Sequence, residues 1–368
     1  MDASLRVSLG RIIAQGLVPA TAALSPLDAV KNLAALQGQQ ASAIPWAIGA
    51  RCTGVSRARV EESFARGELV RSWPMRGTVH VTSARDHHWL RRLLRHRRAA
   101  WERQALSLGL TDALVERAAQ VACELLETSP LGVSRVELVE AWGSSGIDTV
   151  TASSPQEGLR RRHLIMRLHL DGVITAGPVR AGEHLIVDAR SLPAAPGVAK
   201  GEPGHEEALA VLAARYAWGH GPIDAADLAR WTGLTLTEAR RALAGARVAG
   251  ESVGLPLAEY GGGLARADLA DLVEDYRVEA EAMHAFPSFD ELHVGYRDRS
   301  CLTDEAGEAL ICPAKNGMFR PIVVEGGRVV AVRAPGREIV MVKGYESRRR
   351  PAARAFDDWE KWLSETQQ

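Results

Sequence analysis

Apolar and polar positions divide the chain into segments that repeat one plan, helices followed by a short pair of strands. Ser25-Pro26-Leu27-Asp28 sets a hydroxyl at an N-cap, proline at the first helical position and a carboxylate near the free backbone N–H groups. A helix through 32–39 is expected to follow. Runs at 69–73 and 78–82 flank Pro74-Met75-Arg76-Gly77, a turn composition, and predict two paired strands. The plan recurs where Ser134-x-x-Glu137 and then Ser154-Pro155-Gln156-Glu157 open two helices, the second running through 156–170 into strands near 172–175 and 184–187. Residues 193–204, rich in Pro, Ala and Gly, read as a linker.

A third copy begins at Asp224. Gly233 supplies a positive-φ turn, Thr235-x-x-Glu238 caps the following helix, and Leu228, Trp231, Leu236 and Leu243 give apolar packing positions, together a helix-turn-helix signal. From Phe289 the pattern changes to short strands at 291–295, 322–325, 328–333 and 339–342, with Gly326-Gly327 as a hairpin turn and a closing helix over 352–363. The expected fold is α+β: tandem winged-helix units and a C-terminal β-barrel-like module. The boundaries are 1–84, a basic helix with a second winged helix over 85–195, a third over 205–284, the β module over 285–350 and the C-terminal helix over 351–368. Unequal spacings argue against a solenoid.

Composition changes this picture in one respect. Lys+Arg and Asp+Glu both number 45, so the whole chain has no net field to attract nucleic acid and any such contact must come from local patches. The four cysteines form no C-x-x-C pair, and reduced thiols are expected. The N-terminal segment is unlike a signal peptide, and no stretch approaches the roughly 18 apolar residues of a membrane span. A cytoplasmic protein follows from these readings.

Basic patches exist. Residues 85–103 carry seven arginines against two acids, with Leu90, Leu93, Leu94 and Trp101 on one helical face and Arg91, Arg95 and Arg98 away from it. Phosphate contact and a solvated face with internal ion pairs account for this equally well. Arg160-Arg161-Arg162 lies in the recognition-helix position of the second unit, and Arg348-Arg349-Arg350 near the C-terminus either follows a phosphate backbone or forms a surface tail. Met75, Arg76 and His80 belong to the first hairpin, whose tip is a candidate groove probe. Gln37-Gly38-Gln39-Gln40 ends the expected 32–39 helix, where Gly38 can distort the turn so that two amides converge; the alternative is that these are polar residues facing solvent or bonding to the helix end. P-loop, H-E-x-x-H and G-x-S-x-G motifs are absent, and no His/Cys/acid spacing suits a metal. Neither cofactor nor metal is expected. Asp290 and Glu291 would point to opposite faces of a strand and read as structural.

Four segments in order carry a resemblance: Leu36-Gln37-Gly38-Gln39, Arg71-Ser-Trp-Pro-Met-Arg76-Gly77-Thr78-Val-His80, Phe289-Asp290-Glu291-Leu-His-Val-Gly295-Tyr-Arg-Asp-Arg299 and Asn316-Gly317-Met-Phe319-Arg320-Pro321. The chain resembles the AlkZ-like winged-helix DNA glycosylases. That resemblance implies tandem winged helices in a C-shaped arrangement with a β-barrel around a DNA-sized channel. It implies hydrolysis of N-glycosidic bonds of alkylated purines in double-stranded DNA, including unhooking of crosslinks of the azinomycin B type in repair or self-resistance. Carried over, the family's catalytic pair is Gln37 and Gln39; the family's middle position is more often aliphatic than the Gly38 found here.

Amides do not titrate near neutral pH, so such a pair can orient water and the sugar but not deprotonate efficiently. That suffices when the leaving group is a cationic N7-alkylated purine, which departs neutral without a general acid. A monofunctional enzyme is expected, leaving an abasic site, and a monomer, since its units repeat within one chain. A winged-helix transcriptional regulator and a non-catalytic damage-binding protein are the alternatives.

Overall fold

The computed structural model describes residues 1–95, 105–148, 155–193 and 197–365. Arg98 and the expected cap at Ser154 lie outside the described residues. The chain divides into two compact units, Glu61–His205 and a discontinuous unit made of Met1–Val60 and Glu206–Gln368. Helices and antiparallel strands alternate in blocks, the α+β class expected.

In Glu61–His205, strands Leu69–Met75 and Thr78–Ser83 form a hairpin whose two-residue turn, Arg76-Gly77, has positive φ at both positions (40° and 72°). Ile174–Arg180 pairs antiparallel with Leu69–Met75 on one side and with Glu183–Asp188 on the other. Helices Asp112–Glu127, Arg135–Ser144 and Pro155–Asp171 cover this hairpin pair. The Ser134/Glu137 capping box forms as the sequence predicts. Trp142 is fully buried in their core with Ala118, Leu164, Leu168 and Ile186, and its indole N–H donates to the Ala118 carbonyl at 2.9 Å.

The order helix, single bridge residue, two helices, hairpin recurs in the other unit. His205–His220 leads to Ile223, which bridges Leu264; Ala225–Thr232 and Leu236–Ser252 follow, then the hairpin Leu257–Tyr260/Gly263–Arg266. In Glu61–His205 the corresponding bridge joins Val133 to Ile186. Gly233 ends the Ala225–Thr232 helix in the left-handed region at φ 80°, and Thr235 and Glu238 form a capping box.

The β module corrects one expectation. Its strands run Ile339–Met341, Arg328–Arg333, Ile322–Glu325, His284–Phe286 across an open antiparallel sheet, and no closed barrel forms among the described residues. Closure is unnecessary because both faces are apolar and both are covered. Ile322, Val324, Val329 and Val332 face a core with Leu9, Ile12 and Ile13, while Val323, Val330 and Ala331 face Phe356 and Trp359 of the terminal helix Arg349–Ser364. A bulge between Val329 and Ala331 lets two successive residues, Val330 and Ala331, share one face.

Two local expectations also change. The helix expected over 32–39 stops at Asn32; Ala34 takes φ 61° and Leu36–Gln37 is extended. Packing overrides the helical pattern here, since Gly219 of the His205–His220 helix sits where a Cβ would lie 2.1 Å from the Asn32 carbonyl oxygen. The strand expected at 291–295 is instead a helical turn, Glu291–Val294, because Asp290 caps it by accepting from the Leu292 N–H at 2.9 Å.

Gly219→Ala should therefore destabilise the discontinuous unit by about 1–3 kcal/mol through overpacking; a thermal melt indistinguishable from the parent would contradict the close approach. Acid should weaken Glu61–His205. Burial holds His169 down to about 3 and His184 to about 4, so both are neutral in the fold while the unfolded chain takes up protons near pH ~6.5. Stability is then lost as pH falls from there through the folded values, by about 1.4 kcal/mol per pH unit for each histidine. Urea midpoints at pH 7.5 and 5 should separate less in His184→Gln, whose amide can still donate to the Gly177 carbonyl that His184 Nδ1 meets at 2.8 Å.

Candidate active site

Leu33 to Leu36 are buried apolar residues, and they carry Gln37 into the discontinuous unit, where the residue is 8% exposed. Gln39, two residues on, is exposed in a bend. The strand ends at Gln37, so the helix end at which the two amides were expected to converge does not form, and Gln37 is buried where Gln39 is exposed.

The Gln37 amide has lost the i−4 carbonyl a helix would give it. Its N–H donates instead to Glu291 Oε2 at 2.8 Å. Glu291 is fully buried, and its other oxygen, Oε1, accepts from Trp231 Nε1 at 2.7 Å and meets His220 Nε2 at 3.2 Å. Burial lowers the His220 pKa, outweighing Glu291, so the imidazole is neutral at neutral pH. Gly295 is required beside it: a Cβ there would stand 2.9 Å from Glu291 Oε1.

The neighbouring acid is paired differently. Asp290 receives both terminal nitrogens of Arg51 at 2.9 and 3.0 Å, a bidentate ion pair whose side chains are 1% and 0% exposed. Burial disfavours the Arg51 charge, but Asp290 more than offsets this and leaves the guanidinium pKa raised. Arg51 also donates to Gln15 Oε1, Gln15 donates to the Tyr296 hydroxyl at 2.8 Å, and that hydroxyl donates to the His220 carbonyl at 2.9 Å. Arg11 stacks on the Tyr296 ring at 3.7 Å and pairs with Asp227 at 3.1 Å. One polar network thus runs under the glutamine segment. Beside it, Gln40 lines an open cleft of about 510 Å³ walled by Phe319, Pro321, Pro335 and Trp359.

The other candidate residues are dispersed. Met75 ends its strand 2% exposed and does not project from the hairpin tip; Arg76 donates to Thr78 Oγ1 at 3.1 Å and faces His80, which is fully buried. Arg91 donates to the Leu170 carbonyl at 2.8 Å and lies over Gly172, covering the C-terminus of the Pro155–Asp171 helix. Arg95 is exposed and pairs with Asp171. Arg348 pairs with Glu325, and Arg349 donates to the Ile339 carbonyl. Arg160 and Arg161 are half-buried, with Nε atoms that find no hydrogen-bond partner among the described residues. Sequence reasoning missed Arg51, His220 and the role of Glu291. The adjacent acids Asp290-Glu291 were the available signal, but a lone arginine at 51 and a histidine at 220 offer none.

A family model for AlkZ-like DNA glycosylases matches residues 30–356. The chain belongs to the AlkZ-like DNA glycosylase family. As a DNA glycosylase it cleaves a bond between base and sugar. Its fold is similar to that of Streptomyces sahachiroi DNA glycosylase AlkZ, with a TM-score of 0.63 at 19% identity over 96% of this chain and 97% of that one. No curated protein matches it in sequence. No helix among the described residues of the glycosylase is long and apolar enough to cross a membrane.

The Arg51–Asp290 pair yields a stability prediction. Asp290→Asn leaves the buried guanidinium uncompensated and should cost about 3–5 kcal/mol, read as a lower urea midpoint; a loss below about 1 kcal/mol would mean the pair does not hold this region.

Proposed function

We propose that this glycosylase is a monofunctional hydrolase of cationic N7-alkylated purines, with Gln37 and Gln39 as the pair that acts on water and sugar. One observation carries the reading. At the glutamine segment the carboxylates of Asp290 and Glu291 are 1% and 0% exposed and occupied by internal donors, while Gln39 is exposed. The chemistry offered to a substrate there is that of an amide. An amide carbonyl accepts a hydrogen bond from water and an amide N–H₂ donates to sugar oxygens, but neither protonates a leaving base.

The substrate must supply that activation itself. An N7-alkylated guanine does so, because its positive charge is relieved as the glycosidic bond breaks and positive charge develops on the sugar. The product is an abasic site. The open cleft beside Gln40 favours adducts larger than methyl, and crosslinked purines belong to the same chemical class. The twice-repeated order of helices, bridge and hairpin supports tandem winged helices as the DNA-binding frame, working as a monomer. Arg160 and Arg161 are the arginines we assign to phosphate contact, since they lie part-exposed on the Pro155–Asp171 helix, in the recognition-helix position of its unit.

Single-turnover release of 7-methylguanine from a defined duplex tests the proposal. The parent enzyme should release the base, and Gln37→Ala or Gln39→Ala should slow it about a hundredfold, on the order of 2.7 kcal/mol of barrier. Release no faster than the spontaneous rate, from both this duplex and an N7-crosslinked one, would reject it.

A further inference from the structure

We propose that Glu291 is a positioning residue: its buried carboxylate fixes the backbone at Gln37 and so sets where the two glutamines stand. The inference rests on the glycosylase reading for its effect on rate, but not for the anchor itself. The Gln37 N–H donates to a side chain 254 residues away, at 2.8 Å. The carboxylate is fully buried and cannot reach a substrate, so it can act only through the residue it holds.

Its two oxygens face different donors. Trp231 Nε1 and His220 Nε2 meet Oε1, and the Gln37 N–H meets Oε2. Only a carboxylate accepts on both sides. In Glu291→Gln the amide oxygen is drawn to the side of the indole and imidazole. The amide N–H₂ then faces the Gln37 N–H, two donors where a hydrogen bond had been, and the segment is pushed off. Removing the indole donor reverses this logic. In Trp231→Phe/Glu291→Gln, His220 can present Nε2 as an acceptor to the amide N–H₂, which frees the amide oxygen for Gln37.

Hydrogen exchange and single-turnover kinetics together provide the test. In Glu291→Gln, backbone amides over 36–39 should exchange at least tenfold faster, and base release should slow tenfold or more while the Kd for lesion DNA stays within about twofold. The Trp231→Phe/Glu291→Gln pair should regain most of both losses; it also carries the test if Glu291→Gln alone does not fold. A purely structural residue would instead lower affinity and speed exchange throughout the unit. Unchanged exchange over 36–39, a release rate equal to the parent's, or no regain in the double variant would each overturn the proposal. If the parent protein released no base, faster exchange over 36–39 with regain in the double variant would still establish the anchor, and only the glycosylase reading of these residues would fall.

Discussion

Two adjacent carboxylates, Asp290 and Glu291, are buried almost completely, and much of the discontinuous unit is arranged to make that tolerable. An isolated buried carboxylate is too costly to keep charged, so each must be surrounded by donors. Asp290 takes the guanidinium of Arg51 and a backbone N–H of its own turn. Glu291 takes an indole, an imidazole and a backbone amide from three separate segments. The donors come from the N-terminal part of the chain and from two helices of the third repeat, so satisfying the acids ties these pieces together. Arg11, Gln15 and Tyr296 extend the same network outward.

The backbone is strained on either side of this junction. Ala34 at φ 61° precedes the Leu36–Gln37 strand, and Phe289 at φ 62° precedes Asp290. Neither is a glycine, and each left-handed residue costs roughly 1–2 kcal/mol. Such conformations persist where surrounding contacts over-determine them, and they gather at functional sites. The carboxylate bond to the Gln37 N–H joins the two strained segments.

Legibility in the sequence followed the range of the forces involved. Capping boxes at Ser134/Glu137 and Thr235/Glu238, the Gly233 turn and the Gly326-Gly327 hairpin are local devices, and all form where the residues predict. The open β module was misjudged because a strand pattern reveals how many residues are apolar, not whether the terminal helix Arg349–Ser364 covers the second face. The 32–39 helix failed for a similar reason, since Gly219 closes off its continuation from far along the chain. At the site, Gln37 and Gln39 were singled out through the resemblance to a family. Arg51, His220 and Trp231 were not, because what they do depends on meeting a carboxylate that no local pattern connects to them.

The Gln37–Glu291 bond also has a meaning in time. In a chain made from its N-terminus, Glu61–His205 is synthesised before the carboxylate that the Gln37 N–H meets, which follows 254 residues after it. A fragment that stops short of residue 291 carries both glutamines but not the group that fixes the backbone beneath them.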